Sequence, residues 1–307
     1  MALNSSQLKL IQEFFIKTAF SEKGAVITDL DGTAVHEFEG LTIIHKDVET
    51  GLKKIYDTGR PVVINTLRFP ISVIRTFGKE WYKISGKPIP VVLLNGSQLG
   101  LIVSKDEEFG FEQLAAFPLE QEEINHVLEN MSRLQESGIK DILLFYYPED
   151  WSKGEIIWTP DADRIPALRE KYKSASTILS LSLTELRQRL ESAPVCMILL
   201  LIEASQDRLM AYQHTKGNNF FTRKGVDKLF GAQRMAEHLG FAIEDALGAG
   251  DSAMDIFLNA TGLSVHVRNS ALPFKGKMGT LHLNDFHDFG DVLTILAGMQ
   301  ERLQLIK

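Results

Sequence analysis

The sequence contains only one cysteine, Cys196, among its 307 residues. A single thiol cannot form a disulfide within the chain, which fits a reducing compartment, so we expect a cytoplasmic protein. Cys196 lies in the apolar run 195–202, where a packing role is favoured over a nucleophilic one. That run is too short to span a bilayer, and no targeting segment is visible, so we expect no membrane partner.

The sequence also lacks an excess of positive charge. It has 33 lysines and arginines against 40 aspartates and glutamates, a net charge of −7. A nucleic-acid partner requires a basic face, so we expect none. A small anionic substrate is still possible, because one local pocket can oppose the net charge. With 44% hydrophobic and 24% charged residues, the chain is typical of a globular protein whose length favours two domains.

Two closely spaced aspartates are the most informative feature present. The apolar, β-branched residues 25–28 predict a buried strand, which leads directly into Asp29, Asp31 and the turn residue Gly32. In an open α/β sheet, ligands bind beyond the carboxyl ends of the strands. Because two buried like charges are costly without a cation, the pair predicts a metal site. An aspartate beside a bound metal can act as a nucleophile toward phosphorus.

The motif has two other interpretations. A calcium loop would follow a helix and carry a glutamate at its twelfth position, but that position, counted from Asp29, is Gly40. The preceding segment is also a predicted strand, so calcium is disfavoured. A hairpin turn with two solvated aspartates is the remaining alternative, and only the rest of the chain can decide against it.

Strands and helices are predicted to alternate on either side of a long central region. After the first strand, the sequence predicts helix 46–58, strand 61–65, helix 72–81, strand 90–94 and a hairpin of 98–103 with 109–113. Near the end of the chain it predicts helix 224–239, strand 246–248, helix 253–260 and strand 263–267. This order is typical of an α/β fold with a doubly wound parallel sheet.

The central region has a different pattern. It predicts helices 119–138, 163–173 and 183–192, together with strands 141–147, 155–159, 176–180 and 195–203. We interpret it as an α+β domain of residues 118–216, inserted into a discontinuous core of residues 1–117 and 217–307. Pro118 and residues 216–219 are the expected hinges.

Four motifs in a fixed order carry a family resemblance. They are Asp29 with Asp31, then Thr66, then Lys224 at the predicted start of a helix, and finally Gly250-Asp251 with Asp255. In this order they resemble the haloacid dehalogenase (HAD) superfamily of phosphohydrolases. The insert is similar to the C2 cap of its Cof-like, sucrose-phosphatase-like branch, subfamily IIB. The resemblance covers nearly the whole chain.

The resemblance implies a Rossmann-like core with an inserted C2-type cap, and it implies a role for each motif residue. Asp29 matches the nucleophile, and Asp31 matches the general acid and base. Thr66 and Lys224 match the phosphate-binding residues. Magnesium is the implied ion, held by Asp29, the Asp31 backbone carbonyl and Asp251. Asp255 matches a supporting residue that holds the metal's waters or the Lys224 ammonium.

The sequence departs from the family pattern at two positions. The second motif usually reads Thr-Gly-Arg, but here Leu67 separates Thr66 from Arg68, which keeps its place as a supporting residue. The last motif has Met254 where asparagine is common. Two asparagines, Asn95 and Asn269, fit strand ends of the family, although both are equally consistent with turn residues.

The combined interpretation is a magnesium-dependent phosphatase. Its substrate would be a small phosphomonoester, such as a sugar phosphate or a related phosphorylated metabolite, and it would react through an aspartyl-phosphate. A phosphomutase of the same superfamily is one alternative, because it would use the same nucleophile. A non-catalytic, metabolite-binding protein that keeps the fold is another. A dehalogenase is disfavoured, because that chemistry does not need Asp31 as an acid.

Overall fold

The computed structural model describes residues 3–106, 108–139, 141–202 and 220–306. Its larger sheet has eight strands, which are β1 (Val26–Thr28), β4 (Val62–Asn65), β5 (Ile89–Leu93), β6 (Gln98–Lys105), β7 (Glu108–Ala116), β13 (Leu247–Gly250), β14 (Leu263–Val267) and β15 (Gly279–Leu283). A separate hairpin pairs β2 (Val35–Phe38) with β3 (Leu41–Ile44). The predicted hinge at residues 216–219 lies outside the described residues.

The larger sheet is mainly parallel, with β1 near its centre. Its strand order is β15-β14-β13-β1-β4-β5-β6-β7. Every pairing from β15 to β5 is parallel, and β6 and β7 add an antiparallel edge. All residues of β1, β4 and β13 are buried. Strands buried on both faces read as continuous apolar runs, which is why the sequence revealed them.

Helices cover both faces of this sheet. They are α1 (Ser5–Lys17), α2 (Phe20–Lys23), α3 (Lys46–Asp57), α4 (Pro70–Val73), α5 (Lys79–Ser85), α9 (Lys228–Leu239) and α10 (Phe286–Ile306). On one face, Val26 and Ile64 lie in the same apolar cluster as Leu52 of α3 and Leu293 of α10. On the other face, Ile27 and Val63 share a cluster with Met235 of α9. The predicted doubly wound α/β class is confirmed.

Two predicted helices differ in detail. The helix expected at 72–81 is α4 and α5 joined by a π-helical turn at Ile74–Gly78. The helix expected at 253–260 is only a 3₁₀ turn at Ile256–Asn259. Residues before that turn fold back instead, because the Asp255 side chain accepts hydrogen bonds from the Asp251 and Ser252 backbone. Such local side-chain bonds compete with helix formation.

A second, five-stranded sheet is formed by the central region together with residues 220–221, which lie just beyond it. Its strands are β8 (Ile142–Pro148), β9 (Ile156–Trp158), β10 (Thr177–Leu179), β11 (Val195–Ile202) and β12 (Phe220–Phe221), in the order β10-β9-β8-β11-β12. Its helices are α6 (Gln121–Glu136), α7 (Ile165–Lys171) and α8 (Leu183–Glu191). Leu128 of α6 and Leu186 of α8 pack with one face of this sheet.

The other face of the smaller sheet is turned toward the larger one. The ring of Tyr147, at the end of β8, lies 5.5 Å from the ring of Phe69, which follows β4. Cys196 belongs to the same apolar cluster, and burial raises the pKa of its thiol to about 12, so a packing role fits. Among the described residues, no helix combines the length and apolarity needed to cross a membrane.

Candidate active site

The predicted functional motifs meet at one edge of the larger sheet. Parallel strands β13, β1 and β4 are neighbours, so their carboxyl ends lie side by side. Asp29 follows β1, Thr66 follows β4, and Asp251 follows β13. Polar side chains that are far apart in the sequence are therefore brought together where an open α/β sheet binds its ligands.

Three carboxylates form a tight cluster at this edge. Asp29, Asp251 and Asp255 each offer an oxygen, and these oxygens lie within 4.8 Å of one another. Asp29 is only 5% exposed and Asp255 is fully buried. Hard oxygen donors at such spacing can hold a divalent cation, and they suit magnesium. The cluster contains two of the predicted metal ligands, Asp29 and Asp251.

Gly32 allows the Asp251 carboxylate to approach the loop after β1. Gly32 has a φ of +73°, and a Cβ atom placed on it would lie 2.1 Å from Asp251 Oδ2. Any other residue would push the carboxylate away and would also strain the turn. The glycine that ends the Asp-x-Asp-Gly motif thus determines how closely the two loops pack.

Lys228 provides the positive charge inside the cluster. Its Nζ donates hydrogen bonds to Asp29 Oδ1 at 2.8 Å and to Asp255 Oδ1 at 2.6 Å. The Lys228 side chain is only 2% exposed. Asp255 is held in turn at its other oxygen, Oδ2, which accepts hydrogen bonds from the backbone N–H of Ser252 at 2.9 Å and of Asp251 at 3.1 Å.

The structure does not bring Lys224 into this cluster, and Lys228 occupies the position that the sequence predicted for Lys224. Lys224 is exposed, and its backbone N–H donates to the Glu123 carboxylate on α6. Helix α9 begins at Lys228, because Asp227 caps it by accepting a hydrogen bond from the Phe230 N–H at 2.8 Å. The helix thus begins four residues later than the sequence predicts. An N-cap aspartate before an apolar, periodic segment was the signal that could have corrected it.

Burial and mutual repulsion shift the ionisation of the cluster. Burial raises the pKa of Asp29 well above its usual value, and the Asp255 charge adds to this despite the opposing effect of Lys228. Burial, followed by the Asp255 charge, raises the pKa of Asp251 to about 6. Burial alone would lower the pKa of Lys228, but the charges of Asp255 and Asp29 outweigh it and raise that pKa. The cluster therefore carries excess negative charge that a divalent cation would relieve.

Asp31 lies beside the cluster and is paired with Arg68. The Arg68 Nε donates to Asp31 Oδ2 at 2.7 Å, and Nη2 donates to Oδ1 at 2.6 Å. The Asp31 side chain is 39% exposed, unlike the buried Asp29. The two aspartates of the motif thus have different environments. Asp29 faces the carboxylate cluster, and Asp31 lies where solvent reaches it.

The loop after β4 is tied to two neighbouring segments. Thr66 is buried, and its hydroxyl accepts a hydrogen bond from the Arg68 N–H at 3.2 Å. The Asn95 N–H donates to the Thr66 carbonyl at 3.3 Å. Asn95 has a φ of 58°, so it occupies a left-handed turn beside the phosphate-binding candidate. Asn95 thus supports the Thr66 loop through its backbone.

Two asparagine side chains orient the elements that carry the site. Asn269 Nδ2 donates to the Asp251 carbonyl at 2.8 Å, which joins the loop after β14 to the metal-ligand candidate. Asn65, the fully buried last residue of β4, donates through Nδ2 to the Lys228 carbonyl at 2.9 Å. Asn65 was not among the predicted site residues. A polar residue ending an otherwise apolar strand was its only signal.

Comparison with known proteins gives a family match over most of the chain. The model of the haloacid dehalogenase-like hydrolases matches residues 26–277. No curated protein matches the chain significantly.

Solved structures of similar fold cover nearly the whole chain at low identity. A HAD subclass IIB sugar phosphatase is 17% identical, with a TM-score of 0.57, covering 92% of this chain and 100% of that one. A HAD-superfamily phosphatase from Bacteroides thetaiotaomicron is 15% identical, with a TM-score of 0.59, covering 90% and 96%. A hypothetical protein from Geobacillus kaustophilus is 19% identical, with a TM-score of 0.57, covering 92% and 99%. At these identities the likeness concerns the fold alone.

Proposed function

The chain belongs to the haloacid dehalogenase-like hydrolases, as its motifs predicted, and on this basis we propose that it is a magnesium-dependent phosphatase of small phosphomonoesters. One observation carries the proposal. A buried aspartate, Asp29, is held by Lys228 within a cluster of carboxylates at the carboxyl edge of the sheet. Phosphoryl transfer needs positioning and charge stabilisation more than any other contribution, and these residues supply both.

Asp29 is the proposed nucleophile. Lys228 binds one of its two carboxylate oxygens, Oδ1, and so fixes the side chain while the other oxygen can attack phosphorus. The attack forms a bond between that oxygen and phosphorus as the bond from phosphorus to the leaving oxygen breaks. The product is an aspartyl-phosphate on Asp29, which water then hydrolyses. Thr66, next to Asp29 along the sheet edge, is proposed to donate its hydroxyl to a phosphoryl oxygen.

Asp31 is the proposed general acid and base. In the first half-reaction its carboxyl proton passes to the leaving oxygen. In the second half-reaction it accepts a proton from the attacking water, which restores the starting state. Its partial exposure fits this exchange, because the alcohol departs to solvent and the attacking water arrives from it.

Asp29, the Asp31 backbone carbonyl and Asp251 would hold the magnesium ion. The raised pKa values of Asp29 and Asp251 support this assignment, because both carboxylates are crowded by negative charge that a divalent cation would neutralise. When bound, the ion supplies charge stabilisation to the transferring phosphoryl group. Asp255 would take no direct part in binding, since its two oxygens are engaged by Lys228 and by the 251–252 backbone.

Residues 118–216 are proposed to act as a cap that selects the leaving group. The supporting contact is between Phe69, which directly follows Arg68, and Tyr147 of the smaller sheet. A sugar phosphate is the proposed substrate class, supported by the similarity to a subclass IIB sugar phosphatase. The sheet that carries Tyr147 would close over the leaving group and exclude water until the second half-reaction.

A phosphate-release screen tests the proposed function. Purified protein is incubated with a panel of sugar phosphates and with an aryl phosphate, with and without magnesium. We expect magnesium-dependent phosphate release by the wild type, none by Asp29→Asn, and wild-type release by Lys224→Ala. The Lys224 variant is a matched control, because that lysine is exposed, whereas Lys228 is buried against Asp29 and Asp255. Release by Asp29→Asn at the wild-type rate, or no release from any phosphomonoester by the wild type, would contradict the proposal.

A further inference from the structure

Arg68 is bound on two sides by different elements. Its Nε and Nη2 make the paired contacts with Asp31 at 2.7 and 2.6 Å, and its Nη1 donates to Ser72 Oγ at 3.0 Å. The Arg68 side chain is only 12% exposed, and Ser72 is 7% exposed. The guanidinium therefore connects the loop after β1 to the first turn of α4.

The geometry fixes the Asp31 carboxylate in both position and plane. Two parallel N–H···O bonds define the plane of a carboxylate, whereas a lysine ammonium acts as a point charge and leaves it free to rotate. Each carboxylate oxygen keeps a further lone pair beyond the one used by Arg68, so Asp31 can still exchange a proton. Without this fork, the partly exposed Asp31 side chain would be free to change rotamer.

Arg68 is itself held by the backbone around it. Its N–H donates to Thr66 Oγ1 at 3.2 Å, and its carbonyl accepts from the Leu94 N–H at 3.2 Å. Pro70 starts α4 directly after Phe69, which sets the helical turn that presents Ser72. The Asp31 carboxylate is thus anchored through Arg68 to the same loop that carries the phosphate-binding candidate Thr66.

We propose that Arg68, braced by Ser72, is a positioning residue that orients the acid–base group Asp31 toward the leaving oxygen. This inference rests on the proposed phosphatase function. Proton transfer requires the carboxylate within hydrogen-bond reach of the leaving oxygen, so a rotated Asp31 loses acid catalysis even when phosphate binding is intact. Arg68 acts through Asp31 and is not assigned to substrate binding.

The leaving group separates this role from a structural or phosphate-binding role. An aryl phosphate releases a stable phenolate, which needs little help from a general acid, whereas a sugar phosphate releases an alkoxide that needs much more. Misplacing Asp31 therefore slows the sugar phosphate selectively. A general loss of structure or of phosphate binding would slow both substrates equally. The ratio kcat/KM is the right measure, because it reports the steps up to departure of the leaving group and omits dephosphorylation.

The experiment compares Arg68→Lys and Ser72→Ala with a matched control, Arg75→Lys, an exposed arginine in the adjoining π-helical turn. For Arg68→Lys we expect kcat/KM to fall about 100-fold on a sugar phosphate, within the usual worth of a general acid, and only a few-fold on an aryl phosphate. Ser72→Ala should show the same split with a smaller loss, on the order of 10-fold. Arg75→Lys should match the wild type on both substrates.

Equal losses on the two substrates, or no loss in Arg68→Lys, would overturn the positioning role. Thermal unfolding midpoints close to that of the wild type would show that the variants fold. If Arg68→Lys does not fold, Ser72→Ala still tests the role, because it removes only one hydroxyl. A wild type that hydrolyses neither substrate would refute the proposed function itself, and this inference with it. The two failures are therefore distinguishable.

Discussion

The Asp251→Asn substitution should stabilise the metal-free protein at pH 8. The Asp251 carboxyl has a pKa of about 6 in the folded state against a usual value of 3.8. A carboxyl whose folded pKa is raised binds protons more tightly when folded, so its ionisation costs stability. That cost is absent below about pH 4, grows as the pH rises through the folded pKa, and is complete above it. Asparagine has nearly the same shape and no charge, so it removes the cost.

The size of the effect follows from the shift. About two pKa units correspond to roughly 3 kcal/mol at 1.36 kcal/mol per unit, and partial solvation of Asp251 reduces this to about 1–3 kcal/mol. Urea unfolding in the presence of a chelator, at pH 5 and pH 8, measures the difference. The exposed Asp163→Asn is the matched control, with no expected change. Magnesium should then stabilise the wild type and leave Asp251→Asn almost unaffected.

An unchanged or lower unfolding free energy for Asp251→Asn at pH 8 would refute this reasoning. It would mean that the neighbouring negative charges do not destabilise the ionised Asp251 in the metal-free protein. The electrostatic argument for Asp251 as a metal ligand would then fail. A variant equally stabilised at pH 5 and pH 8 would also count against it, because an effect of ionisation must grow with pH.

The remaining predictions concern two buried basic side chains, those of Lys228 and His266. Lys228→Met should lower the unfolding free energy at neutral pH by about 3–5 kcal/mol, because it leaves Asp29 and Asp255 buried without their partner, while the exposed Lys224→Met should change it little. Equal effects of the two substitutions in urea unfolding would contradict the assignment. Burial, followed by the His282 charge, lowers the pKa of His266 to about 4, so the wild type should lose stability as the pH falls from 6.5 toward 4. The loss should reach at most about 3 kcal/mol and should be smaller in His266→Gln, and an identical pH dependence of the two proteins would exclude His266 as its source.

The strand-end residues of the site could be predicted from the sequence because their strands are buried on both faces. Each of β1, β4 and β13 appears as a short apolar run, and the residue type that follows it changes abruptly. The parallel order of these strands then places Asp29, Thr66 and Asp251 together without further information. The sequence pattern was therefore enough to predict the fold class and the carboxylates at the edge of the sheet.

The cationic partners could not be predicted in the same way. Lys224 and Lys228 are close in the sequence, and the position of the Asp227 cap decides which of them begins the helix at the site. The pairing of Arg68 with Asp31 joins residues 37 positions apart through side-chain geometry that no local pattern encodes. Asn65 is a further case, because its role depends on the hydrogen bond that its side chain donates to the Lys228 carbonyl. Such contacts depend on where two elements cross, which periodicity does not determine.

Trapping the covalent intermediate on Asp29 tests the central claim most directly. The protein is mixed with magnesium and a substrate that it hydrolyses, and the mixture is quenched in acid. It is then treated with borohydride, which reduces an acyl phosphate to an alcohol. The peptide containing residue 29 is then sequenced by mass spectrometry. We predict homoserine at position 29 in the wild type, dependent on substrate. An unmodified Asp29 during rapid turnover, or reduction at another carboxylate such as Asp31 or Asp251, would contradict the account.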